Sequence, residues 1–439
     1  MDDRYDPLLR RTADLALDFI DRLPERAVAP PVEIDTLAAL DGPLPEDGED
    51  PVAVIERLVR DADPGITASA GPRYFGFVTG GALPAALAAD WLTATWDQVA
   101  GMYIETPALA VVERTAARWL LDLFGLPGPE TTSVGFTTGC TMAHLTGLAA
   151  ARHALLARAG WDVEARGLFG APEIAVIVGD EAHVSIFAVL QMLGFGAERV
   201  TRIEADGQGR MRADALAAAI DGRDGPTIVC AQAGNVNTGA FDPLAEIAET
   251  CRARGVWLHV DGAFGLWAAA TPALRHLVAG VEGADSWASD AHKWLNVPYD
   301  SGIVMVADKD AHGSAMKRWG TYLVPSDDPA IDGSNWVPES SRRARGLAIY
   351  AALRSLGRKG VAAMIERNCA LARRMAERLA AAPGVDILND VVLNQVLVRF
   401  SPGDGADAAA ADALTRDVIA RVQAEGTCWL GGTTWHGMA

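Results

Sequence analysis

Four short apolar runs, separated by segments of helical character, constrain the fold of this chain more than any other feature of its sequence. The runs cover residues 174–178, 228–231, 256–260 and 303–306. Each has the length and the apolar character of a buried strand. Strands that alternate with helices in this way are typical of a mostly parallel sheet with helices on both faces. The sequence therefore predicts an α/β domain that binds its ligand where the strands end.

Helical segments precede and follow this region. The predicted helices cover residues 1–25, 51–61, 83–96, 108–124, 341–356, 360–382 and 408–425, and two further strands are expected at 385–388 and 392–400. We expect three parts: a helical arm over residues 1–70, a large domain over residues 71–340 and a small α+β domain over residues 341–439. The arm buries little surface by itself, so we expect it to pack on a second subunit; the alternative is a flap on its own domain.

The composition is that of a globular, water-soluble protein. Of the 439 residues, 50% are hydrophobic and 22% are charged, and no apolar run reaches the length of a membrane span. The formal net charge of -19 argues against nucleic acid or an anionic membrane as a partner. The five cysteines are scattered without a metal-binding spacing, which indicates reduced thiols, a cytoplasmic location and no structural metal site.

The most informative single residue is a lysine. The chain has only four lysines among its 38 basic residues, and Lys293 lies between His292 and Trp294 in an apolar setting. Partial desolvation of an ammonium group lowers its pKa and favours a neutral, nucleophilic amine. Such an amine can form a Schiff base, which arginine cannot. The alternative is an ordinary half-buried lysine whose amine reaches the surface.

Further polar groups follow the predicted strands. Small residues at 137–143, together with the hydroxyl of Thr141, stand at a helix start that could bind an anion. His183 follows the first run, and a buried carboxylate at Asp261 needs a cationic partner. Asn235 lies in a loop whose glycines allow a flat ligand to approach. Taken singly, these residues could equally be a helix cap, a structural histidine and a turn-capping aspartate.

Taken together, the same residues match the shape and charge of pyridoxal 5'-phosphate. The helix start would bind the phosphate, and His183 and Ala263 would lie on the two faces of the ring. Asp261 would face the protonated pyridine nitrogen, and Lys293 would bind the aldehyde. The combination predicts this cofactor more strongly than any of the residues does alone.

With these residues in view, the chain resembles the group II pyridoxal phosphate-dependent amino acid decarboxylases, which include the aromatic amino acid, histidine and glutamate decarboxylases. The resemblance runs from about residue 70 to the end and is most specific over residues 258–263 and 284–298. It implies fold type I with a mostly parallel seven-stranded sheet, a homodimer with active sites at the interface, and Lys293 as the Schiff-base residue. It also implies a phosphate site formed by Gly139, Cys140, Thr141, Ser289 and His292.

The chain departs from the family pattern in the segment that resembles the mobile catalytic loop. Members usually carry a tyrosine there that returns a proton to the substrate carbon, but residues 332–341 contain no tyrosine. His183, Tyr103 or Tyr322 would then supply the proton, or the carbon would react with oxygen and yield an aldehyde. Smaller departures are Met142 and Asn235, where members often have glutamate and threonine. The resemblance also implies a further segment after the motif 435–437.

The function that this resemblance implies is decarboxylation of an L-amino acid to an amine, catalysed by Lys293, His183 and Asp261 as part of carboxylic acid and amino acid metabolism. Oxidative deamination to an aldehyde and a non-catalytic family member are the alternatives. The aromatic stretch around Phe77 and Thr79, together with Tyr103, favours an aromatic or apolar substrate side chain.

Overall fold

A computed structural model describes residues 5–29, 32–317, 326, 328–403 and 407–439 of this protein. Its helices, α1 to α12, cover Tyr5–Arg22, Pro51–Ala62, Pro84–Trp96, Pro107–Phe124, Cys140–Arg158, Val163–Arg166, Val184–Met192, Ala213–Asp221, Leu244–Arg254, Lys309–Met316, Gly346–Ala380 and Ala408–Glu425. Its strands, β1 to β11, cover Tyr74–Phe75, Ser133–Thr137, Ala175–Gly179, Thr201–Ile203, Thr227–Gln232, Trp257–Asp261, Ser286–Asp290, Gly302–Val306, Val385–Ile387, Val398–Phe400 and Trp429–Leu430. None of the described helices is both long enough and apolar enough to cross a membrane.

The described residues form two compact units. The first consists of residues up to 81 together with residues 383–386 and 399–439, and the second consists of residues 82–382 and 387–398. In the first unit α1 packs on α2, and β1 pairs in parallel with β11. The second unit contains the central sheet and also α11, which packs on α3 and α4. The domain boundaries after residues 70 and 340 stay predictions.

The central sheet has seven strands in the order β2-β8-β7-β6-β5-β3-β4. All neighbouring strands are parallel except β8, which runs antiparallel to both β2 and β7. The carboxyl ends of β2, β7, β6, β5 and β3 therefore lie along one edge. At that edge Asp261 pairs with Gln232 on one side and with Ala288 on the other. The predicted mostly parallel, seven-stranded α/β sheet is confirmed.

Helix α5 connects this edge to the core. Strand β2 ends at Thr137, so α5 begins at Cys140 directly at the carboxyl edge of the sheet. The buried face of α5 consists mainly of alanine, leucine and glycine, which let the helix lie close to β7 and β8. The site residues on α5 and β7 are therefore held by closely packed, buried elements of the second unit.

The sequence-based elements agree with the structure where the apolar pattern is strong. The four apolar runs became β3, β5, β6 and β8, each displaced by no more than about one residue at its ends. The two helices expected at 341–356 and 360–382 form α11, which is interrupted at Gly357, where φ is 62° and ψ is 175°. Strands β4 and β7 are not apolar runs and were not predicted, because β4 is only three residues long and β7 carries polar residues.

Candidate active site

The candidate site lies where the carboxyl ends of the parallel strands meet the start of α5. The predicted site residues lie at or just after the carboxyl ends of β3, β5, β6 and β7, where a sheet of this kind binds its ligand. These residues are His183 after β3, Asn235 after β5, Asp261 and Ala263 at the end of β6, and Ser289, His292 and Lys293 at the end of β7. All of them belong to the second compact unit.

Lys293 forms an ion pair with a carboxylate that the sequence reasoning did not single out. Its Nζ atom lies 3.0 Å from Asp290 Oδ2, and its side chain is 21% exposed. Burial lowers the pKa of Lys293, but the charges of Asp290 and Asp261 outweigh burial and hold this pKa above its usual value. The expectation of a lowered lysine pKa was therefore wrong, because it counted desolvation without the neighbouring carboxylates.

Asp261 is a buried and charged carboxylate. Its Oδ1 atom accepts a hydrogen bond of 3.1 Å from the backbone N–H of Ala263, and its Oδ2 atom lies 3.5 Å from His144 Nε2. Burial alone would raise the pKa of Asp261, but His144 and, more weakly, His183 and Lys293 hold it well below the usual range. A cationic ring nitrogen is the kind of partner that such a group stabilises.

Two buried histidines next to Asp261 were missed as site residues. His144 Nδ1 lies 2.9 Å from His259 Nε2, and both side chains are fully buried. The sequence could have indicated His259, because His259 and Asp261 are two residues apart on β6 and their side chains therefore point to the same face of the sheet. His144 stands one helical turn after Cys140 on α5.

His183 is held in a defined orientation at the start of α7. Its Nδ1 atom accepts a hydrogen bond from the backbone N–H of Ser185 at 3.3 Å and lies 2.7 Å from Ser185 Oγ. Because Nδ1 acts as an acceptor, the neutral ring carries its proton on Nε2. Burial lowers the pKa of His183, with Asp261 opposing that effect, so the ring is predominantly neutral near pH 7.

The start of α5 provides backbone donors for an anion. The first residues of the helix have no side-chain cap, and Gly139 occupies the capping position. A Cβ atom on Gly139 would lie 3.5 Å from His292 Cε1 and 3.7 Å from Asp290 Oδ1, so these groups face the same small space. Gly302 approaches Gly139 so closely that a Cβ atom on it would lie 2.5 Å from the Gly139 Cα atom.

His292 presents a donor to this space. Its Nδ1 atom accepts a 3.2 Å hydrogen bond from the backbone N–H of Ser301, so the neutral ring carries its proton on Nε2. Burial lowers the pKa of His292 despite the charge of Asp290, which favours this neutral form. Ser289 is fully buried, and its hydroxyl donates to the carbonyl of Gly262 at 2.9 Å.

Asn235 organises the loop that follows β5. Its side-chain amide donates to Gln232 Oε1 at 3.3 Å, and its Oδ1 atom accepts from the backbone N–H groups of Asn237 and Thr238. The loop is therefore built around this buried side chain, whose predicted contact with the cofactor stays a prediction.

The predicted substrate residues lie in both compact units. Phe77 and Thr79 belong to the first unit, where the Phe77 ring packs on Trp429 with 5.1 Å between centroids. Phe77 and its neighbour Val78 both have positive φ angles, 53° and 52°, a strained backbone conformation of the kind found at functional sites. Tyr103 belongs to the second unit, and its backbone N–H donates to Asp332 Oδ1 at 2.8 Å. Tyr322 lies outside the described residues.

Most of the predicted contacts with pyridoxal phosphate have a chemically suitable group among the described side chains. Asp261 supplies a buried negative charge, Lys293 supplies the amine, and the start of α5 and His292 supply N–H donors. The exception is Asp290, a buried carboxylate on the anion-binding side, whose Oδ1 atom has no hydrogen-bond partner among the described residues. Cys140, His144 and Asp261 are also close enough to hold a metal ion, but burial and nearby carboxylates raise the pKa of the Cys140 thiol and disfavour thiolate ligation.

A lysine, a charged carboxylate and an anion-binding helix start at the carboxyl edge of a seven-stranded sheet define the pyridoxal phosphate-dependent enzymes of fold type I. The match to known proteins specifies the family within that class. The pyridoxal-dependent decarboxylase conserved domain matches residues 34–401, and the chain belongs to this family of amino acid carboxy-lyases. The predicted family, fold type and cofactor are thereby confirmed.

Similar proteins cover nearly the whole chain. An aromatic-L-amino-acid decarboxylase of Bacillus atrophaeus is 28% identical over 96% of this chain and 87% of its own length. An L-2,4-diaminobutyrate decarboxylase of Rhizobium meliloti (strain 1021) is 30% identical over 90% of this chain and 78% of its own length. The crystal structure of Oryza sativa TDC with PLP and tryptamine is 25% identical and has a TM-score of 0.92, covering 100% of this chain and 92% of that one.

Proposed function

We propose that this protein converts an L-amino acid with an aromatic or apolar side chain into the corresponding amine and carbon dioxide. Within the family activity, Lys293 is the residue that binds the cofactor, and Asp261 and His183 are its main partners. The observation that carries this assignment is the charged, buried carboxylate of Asp261 on β6, next to β7, which ends three residues before Lys293.

Pyridoxal phosphate, when bound, accepts the electron pair of the broken Cα–carboxylate bond into its ring. Asp261 would hold a proton on the pyridine nitrogen, which would make the ring a better electron acceptor. The N–H groups at the start of α5 and His292 Nε2–H would bind the phosphate and offset its negative charge. Lys293 would hold the cofactor aldehyde through its amine until a substrate amine replaces it.

A proton must reach the substrate carbon after carbon dioxide leaves. The stretch from Asp332 to Ser341 supplies no tyrosine for this step. We assign the step to His183, because hydrogen bonding to Ser185 places the proton of the neutral ring on Nε2. The amine of Lys293 is the second group in the site that can carry this proton.

The absence of a tyrosine in that stretch also favours a second candidate function. If the carbon is protonated slowly, it can react with dioxygen. The amino acid, dioxygen and water then become an aldehyde, carbon dioxide, ammonia and hydrogen peroxide, and dioxygen is reduced by two electrons. The amine and the aldehyde routes share the same first step and differ only in the fate of the carbon.

The preference for an aromatic or apolar side chain rests on Phe77, Thr79 and Tyr103. The strained backbone at Phe77 and the exposed rings of Phe77 and Tyr103 support it. Among the relatives, the Bacillus atrophaeus enzyme is named for aromatic amino acids, whereas the Rhizobium meliloti enzyme acts on a cationic one. We further propose that the protein acts in the cytoplasm as a homodimer that completes each site.

A product assay tests the proposed function. Purified protein is incubated with pyridoxal phosphate and with aromatic, apolar, acidic and cationic L-amino acids, and carbon dioxide, amine, aldehyde and peroxide are measured. We expect carbon dioxide and one equivalent of amine from an aromatic or apolar substrate, and no product from the Lys293→Ala variant. Lys359→Ala is the control for loss of a lysine. Equal amounts of aldehyde and peroxide would support the second candidate, and carbon dioxide from none of the amino acids would contradict both.

A further inference from the structure

Asp261 stands at the end of a chain of buried side chains that runs into the core of the second unit. Asp261 Oδ2 lies 3.5 Å from His144 Nε2, and His144 Nδ1 lies 2.9 Å from His259 Nε2. His259 Nδ1 lies 2.8 Å from Ser286 Oγ, which accepts a 2.9 Å hydrogen bond from Trp257 Nε1. All five residues are buried, with exposures of 5% or less, so the chain is shielded from water.

The charge of Asp261 sets the direction of the hydrogen bonds in this chain. Its carboxylate favours an N–H over a lone pair, so a neutral His144 faces it with Nε2–H across 3.5 Å, a contact longer than a regular hydrogen bond, which His144 Nε2 makes with none of the described residues. At the other end the indole N–H of Trp257 can only donate. Ser286 accepts from Trp257 and uses its hydroxyl proton to donate to His259 Nδ1. A neutral His259 then carries its proton on Nε2 and donates to His144 Nδ1.

The same reasoning places the proton of His144. Because His144 Nδ1 accepts from His259, the proton of the neutral His144 ring is on Nε2, on the side of Asp261. Burial lowers the pKa of His259 to about 3, so this ring stays neutral and keeps one donor and one acceptor nitrogen, as the chain of hydrogen bonds requires. Gly147, on α5, leaves room for His259: a Cβ atom there would lie 3.1 Å from His259 Cε1.

We propose that His144 is a positioning residue for the cofactor, fixed by the chain Trp257–Ser286–His259 as an Nε2–H donor that keeps Asp261 ionised. The proposal deepens the proposed function, since it rests on Asp261 facing the pyridine nitrogen. His144 touches neither the substrate nor the reacting atoms in this account. Its effect passes through the charge of Asp261.

A second buried carboxylate shows what burial does when no imidazole is present. Asp242 accepts hydrogen bonds from the backbone N–H groups of Met211 and Gln232, yet burial raises its pKa to about 6. Asp261 has one backbone donor and a lowered pKa, and His144 is the strongest contribution in that direction. Among the described residues, the other titratable groups whose charges act on Asp261 or respond to it include His183, His259, Lys293, Cys140, Cys230 and Asp242.

Two substitutions of His144 separate its contact with Asp261 from its hydrogen bond with His259. His144→Gln places an amide N–H near the position of Nε2 and keeps a donor to Asp261. His144→Asn places its amide near the position of Nδ1, so it keeps the contact with His259 and loses the donor to Asp261. His312→Asn is the matched control, because His312 is equally buried and also has Nδ1 2.8 Å from a serine hydroxyl, that of Ser133.

The first measurement is NMR of the cofactor-loaded native protein labelled with ¹³C and ¹⁵N, in which each histidine ring is assigned through its own backbone. We expect both His144 and His259 to carry their proton on Nε2. A proton on Nδ1 of either ring, or a doubly protonated His144 near pH 7, would overturn the proposal. This readout uses the native chain, so it decides the question even if a variant fails to fold.

The second measurement is the dissociation constant of pyridoxal phosphate as a function of pH, expressed for each variant relative to the native protein. Effects of pH on the phosphate and on Lys293 cancel in this ratio. For His144→Asn we expect the ratio to rise roughly tenfold between about pH 7.5 and about pH 5.5, because Asp261 then takes up a proton in this range. The ratio stays flat for His144→Gln and His312→Asn. Flat ratios for all three variants, or equal slopes for Asn and Gln at His144, would contradict the role of His144.

The two measurements also separate this inference from the proposed function. If Lys293 and Asp261 do not hold the cofactor, binding of pyridoxal phosphate itself fails in the native protein. If they do hold it and His144 plays no part, the native protein binds normally and only the variant ratios or the NMR tautomers fail to match.

Discussion

Lys293 Nζ lies 3.0 Å from Asp290 Oδ2. Asp290 is the last residue of β7, and Lys293 follows it three positions later. Asp290 is buried, and its other oxygen atom faces the space next to Gly139 where the phosphate is expected. The Asp290 carboxylate therefore influences two predicted cofactor contacts, the Lys293 amine and the phosphate site at the start of α5. It stabilises the ammonium form of Lys293 and repels a phosphate at the start of α5.

The first prediction concerns this carboxylate. In Asp290→Asn the pKa of Lys293 falls, because the largest contribution that raises it is removed. A larger fraction of neutral amine then reacts with added pyridoxal phosphate, and we expect loading at neutral pH to be roughly threefold to tenfold faster. Growth of the visible absorbance band after mixing measures this rate. Asp285→Asn, at the opposite end of β7, is the control, and an unchanged or slower rate in Asp290→Asn would contradict the account.

The second prediction concerns the close approach of Gly302 to Gly139. A Cβ atom on Gly302 would lie 2.5 Å from the Gly139 Cα atom, so Gly302→Ala must displace the start of α5. We expect the affinity for pyridoxal phosphate to fall by at least about tenfold, since the backbone donors move away from the phosphate. Fluorescence titration of the protein with the cofactor measures it. Gly207→Ala, where no heavy atom lies within 4 Å of the added Cβ, serves as the control and should bind as the native protein does.

The third prediction concerns a buried ion pair that ties the segment before α11 to α4. Glu113 accepts hydrogen bonds from the guanidinium of Arg342 and from the backbone N–H of Gly346, and both charged side chains are buried. Removing one charge leaves the other uncompensated, so Glu113→Gln should lower the free energy of unfolding by about 3 kcal/mol. Urea unfolding gives this value.

An exposed ion pair between α4 and α11 provides the comparison for Glu113. Asp122 on α4 pairs with Arg358 on α11, and their side chains are 72% and 54% exposed. Asp122→Asn should cost less than about 1 kcal/mol, because water and salt already screen this pair. Similar costs for the two substitutions would show that burial does not decide the strength of these pairs.

The fourth prediction concerns the pH dependence of stability at His312. Its Nε2 atom donates to the carbonyl of Trp336 at 3.0 Å, and burial lowers its pKa to about 3. Between about pH 3 and about pH 6.5 the unfolded chain binds a proton at this residue that the folded protein does not, so stability falls as the pH falls through this range. The difference in free energy of unfolding between native protein and His312→Asn should therefore change by about 1.4 kcal/mol per pH unit there. Urea unfolding at several pH values measures this slope, and a pH-independent difference would contradict the assignment.

The fold could be predicted from the sequence because the buried strands are continuous apolar runs. Strands β3, β5, β6 and β8 consist mainly of apolar residues that pack in the core, and hydrophobic pattern alone locates them. Strand β7 is not an apolar run, and the reason is functional. Ser286, Ser289 and Asp290 on it are polar because they face His259, Gly262 and Lys293.

The candidate site could be predicted in part. His183 and Asp261 could be predicted from the sequence because each lies at or just after the end of a recognisable strand, and Lys293 because it is one of only four lysines. The direction in which the pKa of Lys293 shifts could not be predicted, since it depends on the distances from the amine to nearby carboxylates. The role of His144 was equally hidden, because no spacing in the sequence brings a residue of α5 next to His259 on β6.

The central claim is that Lys293 is the residue that binds pyridoxal phosphate. The direct measurement is borohydride reduction of the protein loaded with the cofactor, followed by mass spectrometry of its peptides. The account predicts that the reduced cofactor is attached to the peptide containing Lys293 and that Lys293→Ala carries none. Attachment to Lys309, Lys317 or Lys359 in the native protein, or no attachment at all, would contradict it.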